Sequence, residues 1–425
     1  MLKMKRPMFV SIVLMIMIVS SISGASVVTE FQVTTDTNTQ WRPSVFGNYI
    51  VWQDQRNGNA DIYGYDISAG VEFSICTNTF NQEHPTISGD VVVWYDWRNG
   101  NADIYGYVIS TATEFPICLN PNNQRLPVIF GNYVVWNDWR NGNWDIYGYN
   151  LATATEFPIC TNASHQYFPR TGGNYAVWWD ERNGIGNWDI YAYDFTTATE
   201  IPICLDPNNQ GYPAIHGSVV AWIDDRNGNW DIYGYNIGTA TEFPICTNTS
   251  DQFRPWLFND VVTWFDMRNG NQDIYGYQFS TATEFQITTN ASDQRHSKIY
   301  CNTVVWHDRR DGDYNIYGAL LDVNKCGQQI AITPQPVDIV KPVRSLATHN
   351  MSQSQSVLEV VQSTCEKLKN ANDPLYTKCC VNQLDLVLEY LEMSEKFFIS
   401  GNYIAANYWA LKALELLHEI ETCCT

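Results

Sequence analysis

Apolar and polar positions along this chain form a pattern that restarts about every forty-two residues. One period contains the apolar run Val91–Trp94 leading into Asp96, then an Asn-Gly pair, the segment Asp103–Tyr107 and the segment Glu114–Cys118. A continuous apolar run of that length predicts a strand covered on both faces. Thr86–Ser88 begins an inner strand before it, ended by Gly89-Asp90. Asn99-Gly100 predicts a tight two-residue hairpin into the third strand. The fourth segment carries Pro116, and Pro158, Pro202 and Pro244 repeat its placement. A proline cannot donate to a ladder, so this strand is expected at the sheet edge.

The period is marked by Trp52, Trp94, Trp136, Trp178, Trp222, Trp264 and Trp306. One longer step is explained by Ile185 and Gly186 in the fourth repeat's turn. Four antiparallel strands repeated seven times predict an all-β fold, a seven-bladed β-propeller of four-stranded blades over residues 26–322. Closure into a ring removes the two apolar end faces that a linear stack would expose. Thr29–Thr35 nearly duplicates the outer-strand segment Thr283–Thr289, so residues 29–35 are expected to complete the last blade and latch the ring. Gln328–Thr333 is a poorer rival for that place.

After Leu321 the pattern stops. Pro334, Pro336 and Pro342 mark a linker over 323–348, and residues 349–425 read as a small C-terminal α-helical domain. Its three helices are expected at 354–369, 378–399 and 403–421, the last with a weak likeness to half a tetratricopeptide repeat. Cys365, Cys379, Cys380, Cys423 and Cys424 read as disulfide staples for a bundle with little core, with a zinc or cluster site as the alternative. Their odd number leaves pairing between chains open, and the helices offer a surface for self-association.

At the other end, Lys3, Lys5 and Arg6 precede the apolar run Met8–Val19 and the small residues Ser21, Ser23, Gly24 and Ala25. This reads as a signal peptide over residues 1–25, hence a secreted or cell-surface chain with no membrane insertion of its mature part. Uncleaved anchoring is the alternative. Asn162, Asn248, Asn290 and Asn350 head glycosylation sequons. The formal net charge is −20, and no run of Lys and Arg appears beyond the N-terminus. Nucleic acid and anionic lipid are therefore not expected as partners.

Asp54 with Asp61, and the equivalent pairs through Asp266 with Asp273, bracket Arg56, Arg98, Arg140, Arg182, Arg226 and Arg268. Paired carboxylates can bind calcium or transfer protons, but an interposed Arg in every copy argues for a charge-neutralised turn. The seventh copy departs, with Asp308, Asp311, Asp313 and Asn315 around Gly312, and a calcium ion is the alternative reading there. The stretch W-x-D-x-R-N-G-N-x-D-I-Y resembles the repeat of TolB-type propellers and related prokaryotic, often archaeal, cell-surface proteins. That resemblance covers residues 27–322 and implies fold and compartment. TolB proteins have six blades and a separate N-terminal domain, which leaves a Tol-system role in doubt.

No G-x-S-x-G, H-E-x-x-H, P-loop or dinucleotide fingerprint occurs, and no catalytic residue, cofactor or metal is assigned. Function is expected where the repeats differ. One Gln per blade, Gln40 through Gln294, is followed by two variable residues expected to ring the channel mouth. From these pairs the ligand-binding candidates are Trp41, Arg42, His84, Arg125, Tyr167, Phe168, Tyr212, Phe253, Arg254, Arg295 and His296. The hairpin turns add Trp97, Trp139, Trp144, Trp188 and Trp230, which either stack sugars or pack on neighbouring turns. The five repeated cysteines, Cys76 through Cys246, are expected to be small buried side chains. The chain thus reads as a non-catalytic binding or scaffold protein presenting its loop face to a protein or glycan. The alternative is a propeller lyase or hydrolase acting on polysaccharide.

Overall fold

The computed structural model describes residues 25–323 and, beyond them, Val387, Leu388, Leu391, Ser394 and Ala413, all helical. The signal peptide, linker, tail cysteines, tail bundle and rival latch at 328–333 lie largely or wholly outside the described residues. Within residues 25–323 the chain forms seven antiparallel sheets of four strands, a seven-bladed β-propeller. Blade 1 runs through Gln40–Phe46, Tyr49–Asp54, Asp61–Asp66 and Val71–Cys76, and blades 2 to 6 repeat that order. In blade 7 the outer strand is Val27–Gln32, paired antiparallel with Asp313–Leu321. The N-terminal latch is thus in place. Among the described residues no helix is long and apolar enough to cross a membrane.

The core is divided among the contacts between neighbouring blades. Trp136 of blade 3 packs against Val93 and Ile104 of blade 2, and each other repeat tryptophan packs on the blade before it. Trp52 closes the circle against Val305 and Ile316 of blade 7. All seven tryptophans are fully buried, which explains why that ring recurs without substitution. Burying an aromatic ring at each junction supplies the apolar drive for blade association.

Tight packing also explains a glycine in the third strand. A Cβ added at Gly106 would lie 2.5 Å from Phe115 of the outer strand, its register partner. Blade 4 has Ala192 there, and its partner is Ile201 rather than Phe. Blade 7 restores the pair across the latch, where Phe31 covers Gly318. Gly106→Ala is therefore expected to cost about 1–3 kcal/mol through overpacking. Adding Phe115→Ile should recover much of that cost in urea denaturation, and strictly additive losses would contradict the pairing.

Two local expectations change. The two-residue hairpin lies between the inner and second strands, at Gly89-Asp90, where only Gly89 has positive φ. Asn99-Gly100 instead sits in a longer turn, Trp97–Ala102, closed by the Gly100 N–H donating to the Trp97 carbonyl. The four extra residues matter: Asp96 and Asp103 need neighbouring amides, and Asn99 and Asn101 each donate to Asp103. The inner strand also begins earlier than expected, at Gln82, because a bulge at residues 84–85 interrupts it without ending it.

Candidate ligand site at the channel mouth

The recurrent charges are committed to the blades. Asp138 is fully buried and accepts from Trp136 Nε1 at 2.9 Å and from the Arg140 backbone N–H and guanidinium. Arg140 lies 4.0 Å from the Tyr147 ring centroid and pairs with Glu156 of the outer strand at 2.5 Å. The Arg does not bridge the two aspartates; the second, Asp145, is held by Asn141 and Asn143. In the seventh blade Asp308 is held by Trp306 and Arg310, while Asp311 accepts from Gln32 and Tyr317. Among the described residues no group of three or more His, Cys, Asp or Glu converges as a metal site.

The cysteines are explained by the same arginines. Arg98 of blade 2 donates to the Cys76 sulfur of blade 1 at 3.2 Å, and four further junctions repeat this contact. Cys76, Cys118, Cys160, Cys204 and Cys246 are buried and free. Burial pushes the Cys76 thiol up to about 12, so it is an inert side chain.

What remains uncommitted gathers at the channel. Each inner strand bulges just after its Gln, so that two residues oppose one on the second strand. The first bulged residues are Arg42, His84, Leu126, Phe168, Tyr212, Arg254 and His296, and all seven have φ between 48° and 57°. A left-handed non-glycine residue costs about 1–2 kcal/mol, and a following proline further restricts it. Six of these seven precede proline. The bulge turns this residue, and often the one two places on, toward the axis. Together they line a funnel at the channel mouth. The buried Gln before each bulge fixes the loop by donating to a carbonyl two residues back, as Gln124 does to Asn122.

The variable pairs therefore split. Their second members line the funnel, whereas Trp41, Glu83, Arg125, Tyr167, Gly211, Phe253 and Arg295 do not. Arg125 lies over Trp97 at 4.8 Å, Tyr167 packs on Trp179, Phe253 on Phe265, and Arg295 pairs with Asp293. None of the turn tryptophans lines the funnel. Trp139 meets Trp144 at 5.0 Å and Trp188 meets both Trp179 and Trp230, so these half-buried rings pack on one another.

The funnel wall has two sides. Blades 6, 7, 1 and 2 contribute Arg254, His296, Arg42 and His84, while blades 3, 4 and 5 contribute Leu126, Phe168 and Tyr212. Two residues further along their inner strands, Thr86, Val128, Arg170, Trp256 and Lys298 also line the funnel. Arg42 Nη1 donates to His84 Nδ1 at 2.7 Å, Arg254 lies over Tyr212 at 4.8 Å, and Phe168 meets Tyr212 at 4.6 Å. No carboxylate lines the funnel, and among the described residues no ion pair includes Arg42, Arg170, Arg254 or Lys298. The nearest acid, Glu83, is engaged by Tyr95 and Trp97. Burial and mutual repulsion depress the basic groups: Arg42 and Arg170 fall to about 10, and His84 and His296 well below the usual histidine range.

Folding thus builds a basic cluster that the linear sequence does not display. The absence of Lys and Arg runs excluded an exposed basic face, but not three arginines and a lysine converging from blades 1, 4, 6 and 7. Arg170, Trp256 and Lys298 were missed by sequence reasoning. A signal existed: Lys298 is the only lysine among residues 25–323.

No protein-family model and no curated protein matches the chain. Solved structures do. The chain is similar to an oligogalacturonate lyase in complex with manganese, at 11% identity and a TM-score of 0.53, over 69% of this chain and 93% of that one. It is also similar to the β-propeller domain of the Trilobed protease from Pyrococcus furiosus, described as having an open velcro topology. There the identity is 12% and the TM-score 0.56, over 67% of this chain and 96% of that one. A puromycin-hydrolyzing peptidase from Mycobacterium tuberculosis matches at 12% identity and a TM-score of 0.52, over 64% of this chain but only 49% of that one. At such identities the likeness shows the fold alone, so the TolB resemblance is supported only as far as the propeller. What these comparisons establish is a β-propeller fold like that of the propellers in these structures.

Proposed function

We propose that the propeller recognises an acidic glycan, taking a uronate residue into the channel mouth. The observation that carries this reading is the wall of Arg42, Arg170 and Arg254, outside any ion pair and free of carboxylates in a chain of net charge −20. Buried cations without counterions are costly, and an anionic ligand relieves that cost. The two-sided ring adds a second requirement. A uronate offers a carboxylate to Arg42 and Arg254 and an apolar C–H face to Phe168 and Tyr212. Neutral sugars lack the first and inorganic anions the second. The oligogalacturonate lyases, similar in fold, act on a glycan of this class, which supports the choice of ligand. Export to the cell surface, with the tail attaching or self-associating, remains part of the proposal.

Calorimetry with trigalacturonate and maltotriose tests it. Binding is expected for the acid alone, weakening as salt rises. His84 and His296 are held neutral, and a bound carboxylate favours their protonated forms, so the complex takes up protons. Affinity should therefore rise as pH falls toward the range where these histidines protonate, and fail once the sugar acid itself protonates near about 4. Equal binding of both sugars, or of neither, overturns the reading.

One observation favours turnover as a second reading. Neutral bases, His84 and His296, stand beside cations that would neutralise a uronate carboxylate, which is what proton abstraction next to that group requires. An unsaturated, ultraviolet-absorbing product released by the wild-type chain and lost in His84→Gln or His296→Gln would establish a lyase. Saturable binding without product leaves a recognition module.

A further inference from the structure

We propose that Lys298 is a nucleophilic amine that condenses with the carbonyl group of small anionic aldehydes and ketones, forming a Schiff base inside the funnel. The proposal rests on the anion-binding reading of the channel, which brings the carbonyl compound to the amine. Lys298 stands on the inner strand Gln294–Tyr300 of blade 7, two residues beyond His296, and lines the funnel. Its Nζ lies 3.0 Å from the centroid of the Trp256 ring on blade 6. The charged groups that act on it are Arg170 from blade 4, Arg254 from blade 6 and Arg42 from blade 1. His296 and His84 share the wall, and both are held neutral.

Two influences on the amine oppose each other. The Trp256 face favours the ammonium by up to about 2 kcal/mol. Burial and three guanidinium groups disfavour it, and burial alone can shift a lysine by about 3–5 pH units. The second influence is larger, and it holds the ammonium well below the usual lysine range. A lysine beside other cations in a poorly hydrated pocket is the arrangement that activates an amine as a nucleophile. The step balances without a further reactant: the Nζ lone pair forms the C–N bond, and the carbonyl oxygen leaves as water with the two amine protons. The anionic end of the same molecule meets Arg254 or Arg42.

The full chain is treated at pH 7 with glyoxylate or, separately, acetaldehyde, each with cyanoborohydride, and modified lysines are mapped by mass spectrometry. Glyoxylate is expected to modify Lys298 at least tenfold faster than it modifies Nα-acetyl-lysine, and trigalacturonate should protect it. Lys298→Arg should lose the modification while the other lysines of the chain keep theirs. If trigalacturonate binds but Lys298 resists both aldehydes, the reactive amine is refuted and the channel reading stands. If Lys298 reacts equally well with acetaldehyde and no acidic sugar binds, the amine is reactive and the channel reading fails.

Discussion

Arg42→Gln combined with Arg254→Gln is expected to weaken trigalacturonate binding by about two to four orders of magnitude while leaving the fold intact. Each guanidinium is assigned one charged hydrogen bond to the ligand, worth about 1.5–3 kcal/mol. Neither takes part in an ion pair that builds a blade, unlike Arg56 or Arg140. Removing them also relieves repulsion among Arg42, Arg170 and Arg254, so the thermal midpoint should hold or rise slightly. A loss of affinity accompanied by a lower midpoint would mean that these arginines hold the blades together. Unchanged affinity would place the ligand elsewhere.

Asp138→Ala is expected to do the reverse, lowering stability by about 3–5 kcal/mol with no direct effect on the funnel. The substitution orphans Trp136 Nε1 and removes the buried partner of the Arg140 guanidinium, which is then left with Glu156 and the Cys118 sulfur. Asp138→Asn keeps an acceptor for Trp136 and should cost less. Because the same arginine touches the preceding blade, the damage should weaken the junction between blades 2 and 3. Hydrogen exchange on those two blades reads this directly. A loss confined to the Trp139–Trp144 turn of blade 3 would show that the network is only a local clasp.

The blades were legible in the sequence because each carries its own evidence. A buried tryptophan and a recurring Asp and Arg state their roles in every copy, and a proline marks the edge strand in four of them. The latch was legible too, since Phe31 repeats the outer-strand motif and meets Gly318 as the other Phe residues meet their glycines. Glu156 and its equivalents recur just as regularly, and their pairing with arginine was open to the same reasoning. The turn geometry was harder: Gly-Asn, Gly-Asp and Asn-Gly all occur, and only strand register distinguishes which closes a two-residue hairpin.

The floor of the candidate site was not legible, for two physical reasons. A residue before proline is ordinarily extended, so nothing announced seven left-handed bulges aimed at one axis. The second reason is that Arg170, Trp256 and Lys298 lie on three different inner strands and share a wall only after the ring closes. The candidate rim was half right for the same cause. Sequence spacing located the variable pairs, but the bulge decides that Arg42 and His84 face inward while Trp41 and Arg125 pack on the rim.

A crystal structure of the chain soaked with trigalacturonate tests the central claim most directly. The account predicts one uronate carboxylate within hydrogen-bond distance of Arg42 and Arg254, with its sugar face over Phe168 and Tyr212. A sugar seated on the Trp139–Trp144 turns, or a funnel left empty at saturating ligand, would contradict it.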